Sequence, residues 1–280
     1  MNIEISEWKG RLGNRIWALR NAIHVALILK TNIILPADDT GFISTRFIQL
    51  TDSSSNKIIY SKSFFEGNFE TILKTIPEYK SKNIYTLEIN KKISDILKKY
   101  VAIPIPDKTL DKNDLVIHMR SGDIMVPNCN LPKEYTPPPL IFYINIIANH
   151  AWKNIYIVCE DNKHPCMKEL IIKIPRIKWK KQSLKDDIKL ILSAQNLIIG
   201  GGSFIPTLLF FPNNIKNIII PHWGPTGLKL IFPNIQFYTY CFPLYVKKIG
   251  NKWKCIPEQI YYMLNWGFAR ERREGWNFLN

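Results

Sequence analysis

The sequence predicts an α/β fold in which strands and helices alternate. Three observations carry that expectation: an opening strand–helix–strand, a second alternating series that starts at Asp114, and short apolar runs that end in glycine-bearing loops. At 280 residues the chain is long enough for two sub-domains, since one is expected per ~150 residues.

The elements follow in order. Ile3 and Ile5 alternate with polar residues as in a strand that ends by Lys9-Gly10. From Asn14 to Lys30 the residues Ile16, Leu19, Ile23, Leu27 and Leu29 form an apolar stripe at helical spacing. Asn32 to Leu35 reads as a strand closed by Pro36, completing a β-α-β unit. The stretch from Asp38 to about Lys112, with a serine-rich turn at Ser53 to Asn56, has no clear pattern and is taken as the rest of a first half, residues 1–110. In the second half, 111–280, strands are expected at Leu115–Met119, Ile155–Cys159, Leu197–Ile199 and Ile218–Ile220. Helices are expected at Phe142–His150, Pro165–Lys173 and Asp186–Ala194, an alternation that predicts a doubly wound sheet. The linker is expected near Pro104 to Asp111. The tail from Glu258 carries Tyr261, Tyr262, Leu264, Trp266 and Phe268 in a helix-like run before the charged cluster Arg270 to Glu274, and is expected to pack back across the molecule.

Composition bounds the function. At 46% hydrophobic and 22% charged residues the chain is neither a disordered tail nor a fibre. Lys and Arg number 38 against 23 Asp and Glu, so nucleic acid, a membrane surface or a phosphorylated small molecule is the expected partner class. Five cysteines without framework or zinc-knuckle spacing predict reduced thiols in the cytoplasm. The first fifteen residues have no charged-then-apolar leader. The longest apolar run, Leu197 to Phe211, is broken by three glycines, Ser203 and Pro206, so no transmembrane segment is expected. The basic residues are spread out, and no helix-turn-helix, zinc finger or ribonucleoprotein signature appears, which argues against a nucleic-acid partner.

Four short constellations sit where strands end. Gly10-Arg11-Leu12-Gly13-Asn14-Arg15 joins a strand to a helix, either as a plain turn or as an anion site at a helix N-terminus. His118-Met119-Arg120-Ser121-Gly122-Asp123 ends a buried strand. Arg120 there offers a bidentate fork to a phosphate, His118 faces the same side, and Asp123 either anchors Arg120 or serves as a base. Glu160 and Asp161 follow another strand and suit sugar hydroxyls or ring N–H groups, although helix capping also explains one of them. Gly200-Gly201-Gly202-Ser203-Phe204 exposes backbone N–H groups as an anion cradle, with Ser203 able to cap the next helix.

In this order the four motifs resemble the alpha-1,2-fucosyltransferase family and its alpha-1,6- and protein O-fucosyltransferase relatives. That family opens with a Gly-Gly-Leu-Gly-Asn turn, similar to residues 10–14, and its His-x-Arg-Arg-Gly-Asp hallmark is similar to His118 through Asp123. An acidic pair matches Glu160 and Asp161; the closing pattern matches Asp186 through Phe204, followed by Ile218-Ile219-Ile220-Pro221-His222-Trp223. The resemblance spans nearly the whole chain. It implies a GT-B fold of two Rossmann-like halves facing across a cleft, a nucleotide sugar held mainly by the C-terminal half, and no metal or other cofactor. It also implies roles. Arg120 binds the donor diphosphate, Glu160 or Asp161 reads the nucleotide, Ser203 and Phe204 line phosphate and base, and His118 sits beside the donor sugar. Gly10, Gly13, Asn14, Arg15, Gly201 and Gly202 complete the donor side.

Two departures bear on the donor: Ser121 replaces the second arginine, and Ile205-Pro206-Thr207 replaces the tryptophans that follow Ser-Phe. About one residue in six is isoleucine, suggesting an AT-rich coding sequence. The chain is similar to glycosyltransferases of large algal DNA viruses, the chloroviruses, which build capsid glycans in the host cytoplasm, and among them to a xylosyltransferase. The expectation is therefore a transferase moving a sugar from UDP-xylose, slightly ahead of GDP-fucose, to a hydroxyl of an oligosaccharide or glycoprotein glycan of a virion or cell surface. Displacement would be inverting and metal-independent, with Asp123 as the nominated base and Asp38 or Asp39 as acceptor-side carboxylates. A non-catalytic glycan-binding or nucleic-acid-binding protein is the alternative.

Overall fold

The computed structural model describes residues 1–52, 57–64, 67–76, 87–224, 227–250 and 252–267. The expected turn at Ser53 to Asn56, Phe268 and the cluster Arg270 to Glu274 lie outside them. The chain is mixed α/β with parallel sheets, and it divides into two compact units: Met1–Ile103 with Ser203–Phe211, and Pro104–Gly202 with Pro212–Asn280.

In the first unit β1 (Asn2–Ile5), α1 (Leu12–Leu29) and β2 (Asn32–Ile34) form the expected β-α-β, with β1 and β2 parallel. Helix α1 is buried nearly all round rather than along one stripe: Arg20, Asn21 and His24 are buried, while Leu27 and Leu29 are only partly so. Asn21 satisfies its amide on the Phe64 carbonyl at 3.0 Å, so a polar residue can enter the core. Lys30 ends the helix in the left-handed region at φ 51°, its N–H returning to the Ala26 carbonyl.

The stretch without a sequence pattern holds β3 (Phe47–Ile48), antiparallel to β2, and β4 (Ile58–Lys62), parallel to β1 on its other side. It also holds α2 (Gly67–Thr75) and α3 (Leu87–Tyr100), the latter burying Asn90, Ile93 and Leu97 at helical spacing.

The second unit is built on a six-stranded parallel sheet. Its strands are β5 (Asp114–Met119), β7 (Asn154–Cys159), β8 (Ile177–Lys178), β9 (Asn196–Ile199), β10 (Asn217–Pro221) and β11 (Gln236–Tyr240). β6 (Leu131–Pro132) instead pairs antiparallel with β12 (Lys252–Trp253). The six lie in the order β11-β10-β9-β5-β7-β8. Counted along the chain this is three-two-one-four-five-six, the doubly wound order. Every residue of β5 and β9 is buried, as expected of parallel strands covered on both faces.

Helices α4 (Leu140–Ala148), α5 (Pro165–Lys173) and α6 (Leu184–Ser193) connect these strands. α5 matches its expected span, whereas α4 and α6 each start two residues early. The Ser183 hydroxyl caps α6 by accepting from the Asp186 amide at 3.2 Å. After β9 comes α7 (Phe204–Leu208), which belongs to the first unit, and then α8 (Leu228–Ile231) and α9 (Pro243–Ile249) of the second. The tail helix α10 (Pro257–Asn265) packs on α4 and α5 with Met263 fully buried. None of the described helices is long and apolar enough to cross a membrane.

Candidate functional site

In a doubly wound sheet the crevice for a ligand lies beyond the carboxyl ends of the two strands where the order reverses. In the second unit those strands are β5 and β9, and the residues beyond them are Arg120 and Gly200 to Gly202.

Arg120 is held from three sides. Its Nη2 donates to Asp123 Oδ2 at 2.9 Å, and its guanidinium carbon stands 4.4 Å from the centre of the Tyr135 ring. On the third side lies Gly202, at φ +86°, where an added Cβ would be 2.5 Å from Arg120 Nη1. Only glycine both adopts that backbone and leaves the room. Gly200 packs on the β5 backbone in the same way, a Cβ there meeting the His118 carbonyl at 3.3 Å.

The supports are themselves fixed. Asp123 rides on a 3-10 turn, Gly122–Met125, whose Ile124 carbonyl accepts from the fully buried Trp253 indole at 2.6 Å. Beyond Tyr135, the Thr136 carbonyl accepts from Trp223 Nε1 and the Pro137 carbonyl from the Tyr245 hydroxyl, both at 2.9 Å. A guanidinium so pre-positioned loses little freedom when it meets an anion.

At the adjacent end of β7 are Glu160 and Asp161. The Glu160 carboxylate lies against Gly122, whose φ of +65° and missing side chain make room for it. Asp161 accepts from the Ser121 hydroxyl at 2.5 Å and from the Lys163 amide at 3.0 Å. Burial works against its charge, but the Ser121 and Lys163 hydrogen bonds prevail and hold its pKa below the usual value. Ser121 is 1% exposed and is part of this lock.

His118 sits in β5 with Val158 and Ile199 as its cross-strand neighbours. Burial, aided by the Arg120 charge, lowers its pKa to about 4, so it is a neutral imidazole at ordinary pH and a weak base.

The other residues expected at the donor site belong to the first unit. Gly10, at φ +71°, lies against the Asn14 side chain, and Asn14 Oδ1 accepts from the Ser203 hydroxyl. That bond replaces the helix cap expected of Ser203, which makes none. A Cβ on Gly13 would stand 2.7 Å from Phe204 Cα, so the glycine turn is what lets the Ser203-Phe204 backbone approach α1.

Arg15 is already balanced: one nitrogen donates to Asp38 Oδ1 at 2.7 Å and also to Asp39, and Nε reaches the Gly10 carbonyl at 3.3 Å. Burial opposes its charge, but Asp39 and Asp38 prevail and raise its pKa. The Asp38 side chain is fully buried and accepts further bonds from Thr40, Phe42 and Ile43. These overcome the cost of burial and lower its pKa. Asp38 thus pins the loop after β2, and of the two carboxylates expected on the acceptor side only Asp39 is exposed.

Tyr135 and Trp253 lie outside the four motifs, and no local signal announces them. Ser121 and Gly122 stand inside the His118–Asp123 motif, but their contacts with Asp161 and Glu160 are seen only in the structure. Among the described residues no three His, Cys, Asp or Glu side chains converge as a metal site requires.

No protein-family model matches the chain, and no curated protein matches it. Solved structures of POFUT1 are similar to it at low level. The apo form has 9% identity and a TM-score of 0.40, covering 85% of this chain and 97% of that one. The complex with GDP has 11% identity and a TM-score of 0.41, covering 86% and 98%. The complex with GDP-fucose has 9% identity and a TM-score of 0.42, also covering 86% and 98%.

Proposed function

We propose that the chain is a glycosyltransferase of the GT-B kind that moves one sugar from a nucleotide-diphosphate donor to a hydroxyl of a glycan. The observation that supports it most is the placement of Arg120 at the reversal of the second sheet, braced by Asp123, Tyr135 and Gly202. A second support is the order of the four motifs along the sequence.

In this reading the Arg120 guanidinium and the amides of Gly201 and Gly202 meet the diphosphate. As the bond from the anomeric carbon to the diphosphate oxygen breaks, charge builds on that oxygen, and a fixed guanidinium stabilises it. Asp161, already an acceptor, and Glu160 suit the hydroxyl or ring N–H donors of the nucleoside. Asp123 acts as the anchor of Arg120. The acceptor hydroxyl attacks from the opposite face, forming the new bond as the old one breaks, inverting the anomeric centre and releasing its proton to solvent. The neutral His118, close enough to feel the Arg120 charge, is a positioning residue. Ser121 and Ile205-Pro206-Thr207 depart from the fucosyltransferase pattern and leave the donor open between the two. The similarity to an algal-virus xylosyltransferase is what puts UDP-xylose slightly ahead of GDP-fucose. A glycan of a virion or cell surface is the proposed acceptor.

The test is a thermal-shift screen against UDP, GDP, UDP-xylose and GDP-fucose without added metal. A ligand at a hundredfold its Kd should stabilise by about 2.7 kcal/mol. Shifts with the uridine pair alone support xylosyl transfer, and shifts with the guanosine pair alone support fucosyl transfer. No shift with any at millimolar concentration refutes the donor reading.

A further inference from the structure

Beside Arg120 the second unit encloses a small cavity lined by Tyr135, Pro138, Tyr143, His164 and Gly200 among others. Two of its walls are polar and buried without being used. The Tyr143 ring is 0% exposed and His164 is 1% exposed. Neither the Tyr143 hydroxyl nor His164 Nδ1 has a hydrogen-bond partner among the described residues. A buried polar atom left unmet usually costs about 1–3 kcal/mol, and native folds keep few of them. Two residues with such atoms line one cavity next to a proposed donor-binding arginine, and one hydroxyl, of a ligand or of a water that a ligand displaces, would meet both.

The chemistry of that atom can be narrowed. Burial lowers the His164 pKa to about 4 against the pull of Asp161, so the ring is neutral, with one nitrogen able to donate and the other to accept. Burial likewise keeps Tyr143 a phenol, able to donate and accept. The free space is about 10 Å³, room for one hydroxyl and too little for a phosphate. A neutral group that both donates and accepts is complementary to this pair.

We infer that Tyr143 and His164 form a subsite for one hydroxyl of the sugar being transferred, with Arg120 at its mouth holding the diphosphate to which that sugar is attached. The inference rests on the donor reading above. It makes Tyr143 a specificity-determining residue that acts on the nucleotide sugar and is indifferent to the nucleotide alone.

Tyr143→Phe removes one oxygen and leaves the ring that packs on Phe142. Isothermal titration of wild type and Y143F with UDP, GDP, UDP-xylose and GDP-fucose, alongside thermal unfolding, tests the assignment. Affinity for the bound nucleotide sugar should fall about five- to tenfold in Y143F, as for one lost buried hydrogen bond, while affinity for its free nucleotide stays within twofold. His164→Asn, provided its melting temperature stays near wild type, should show the same split. Equal weakening of nucleotide and nucleotide sugar overturns the assignment in favour of a ribose or base contact. Unchanged affinity for both, with altered stability, overturns it in favour of a purely structural role. Wild type that binds none of the four fails at the donor reading itself, and the inference falls with it.

Discussion

Gly202→Ala and Gly250→Ala form a matched pair that isolates the role of Arg120. Gly202 has φ +86° and Gly250 has φ +89°, so an alanine strains the backbone at either position, by about 1–3 kcal/mol. Around Gly250 no atom of the described residues beyond its chain neighbours lies within 4 Å of the added carbon, whereas at Gly202 it would be 2.5 Å from Arg120 Nη1. That nitrogen ends a flexible side chain, so the guanidinium is what moves. Displacing it forfeits one charge-assisted hydrogen bond to the diphosphate, about 1.5–3 kcal/mol, or roughly a ten- to hundredfold loss of affinity. Isothermal titration with UDP and GDP measures the loss, and differential scanning fluorimetry measures the strain. Both variants should melt lower, by roughly 2–4 °C per kcal/mol for a unit of this size, and only Gly202→Ala should lose nucleotide affinity beyond tenfold. Equal nucleotide affinities in the two variants would refute the placement of Arg120 on the diphosphate.

Four further outcomes are expected. Arg120→Ala should lower kcat at least ~100-fold in a radiolabelled sugar-transfer assay, and Arg120→Lys should recover little of it, because an ammonium cannot reproduce the fork. Gly13→Ala should destabilise the first unit by about 1–3 kcal/mol, since its methyl meets the Phe204 backbone at 2.7 Å; a denaturant titration reads it, and an unchanged midpoint would contradict that approach. His118 and His164 have folded pKa values near 4 against an ordinary 6.5. Between those pH values the unfolded chain binds protons that the folded chain refuses, so stability is full above 6.5 and is lost as pH falls toward 4, by up to about 3 kcal/mol per imidazole; a flat urea midpoint from pH 7 to 4 would contradict their burial. Ser121→Ala should raise the Asp161 pKa, seen by carbon-detected NMR titration, because the bond that favours its charged form is gone.

What the sequence reveals of this fold follows burial. β5, β7, β9 and β10 are apolar runs in a sheet covered on both faces, and their β-branched residues announce them. β4 is a half-exposed edge strand and β3 has two residues, so neither shows a period, whereas α3 repeats Ile89, Ile93, Leu97 and Tyr100 at helical spacing and is the legible element of the stretch from Asp38 to Lys112. β11, Gln-Phe-Tyr-Thr-Tyr, has strand-forming residues but lies at the sheet edge and buries only Tyr240 fully.

The site divides in the same way. Arg120, Asp123 and the three glycines are legible because they stand at strand ends in unbroken motifs. Trp253 reaches Ile124 from 129 positions away, and no local pattern can announce such a partner. Nor does the Asp38-Asp39 pair disclose that Arg15, 23 and 24 positions earlier, is already bridged to both carboxylates.

The net charge of +15 points to an anionic ligand, yet it does not locate one. Many lysines are exposed and lie against nearby carboxylates, as Lys92 does with Glu88, Lys153 with Asp111 and Lys189 with Asp107. Such pairs contribute about 0–1 kcal/mol each and are screened by salt. Arg120 differs by position: after β5 and β9 the chain leaves in opposite directions, so no crossover covers the ground between them. Ser121 then bears on what that ground can hold. A second arginine in its place would bring a cation to Asp161, whereas the serine hydroxyl donates to the carboxylate and leaves its charge in place. One guanidinium with glycine amides on one side, and Glu160 with Asp161 on the other, suit a ligand that is anionic at one end and rich in hydroxyl or N–H donors at the other. A nucleoside diphosphate has that polarity along its length; an extended polyanion such as nucleic acid would meet the two carboxylates with its phosphates.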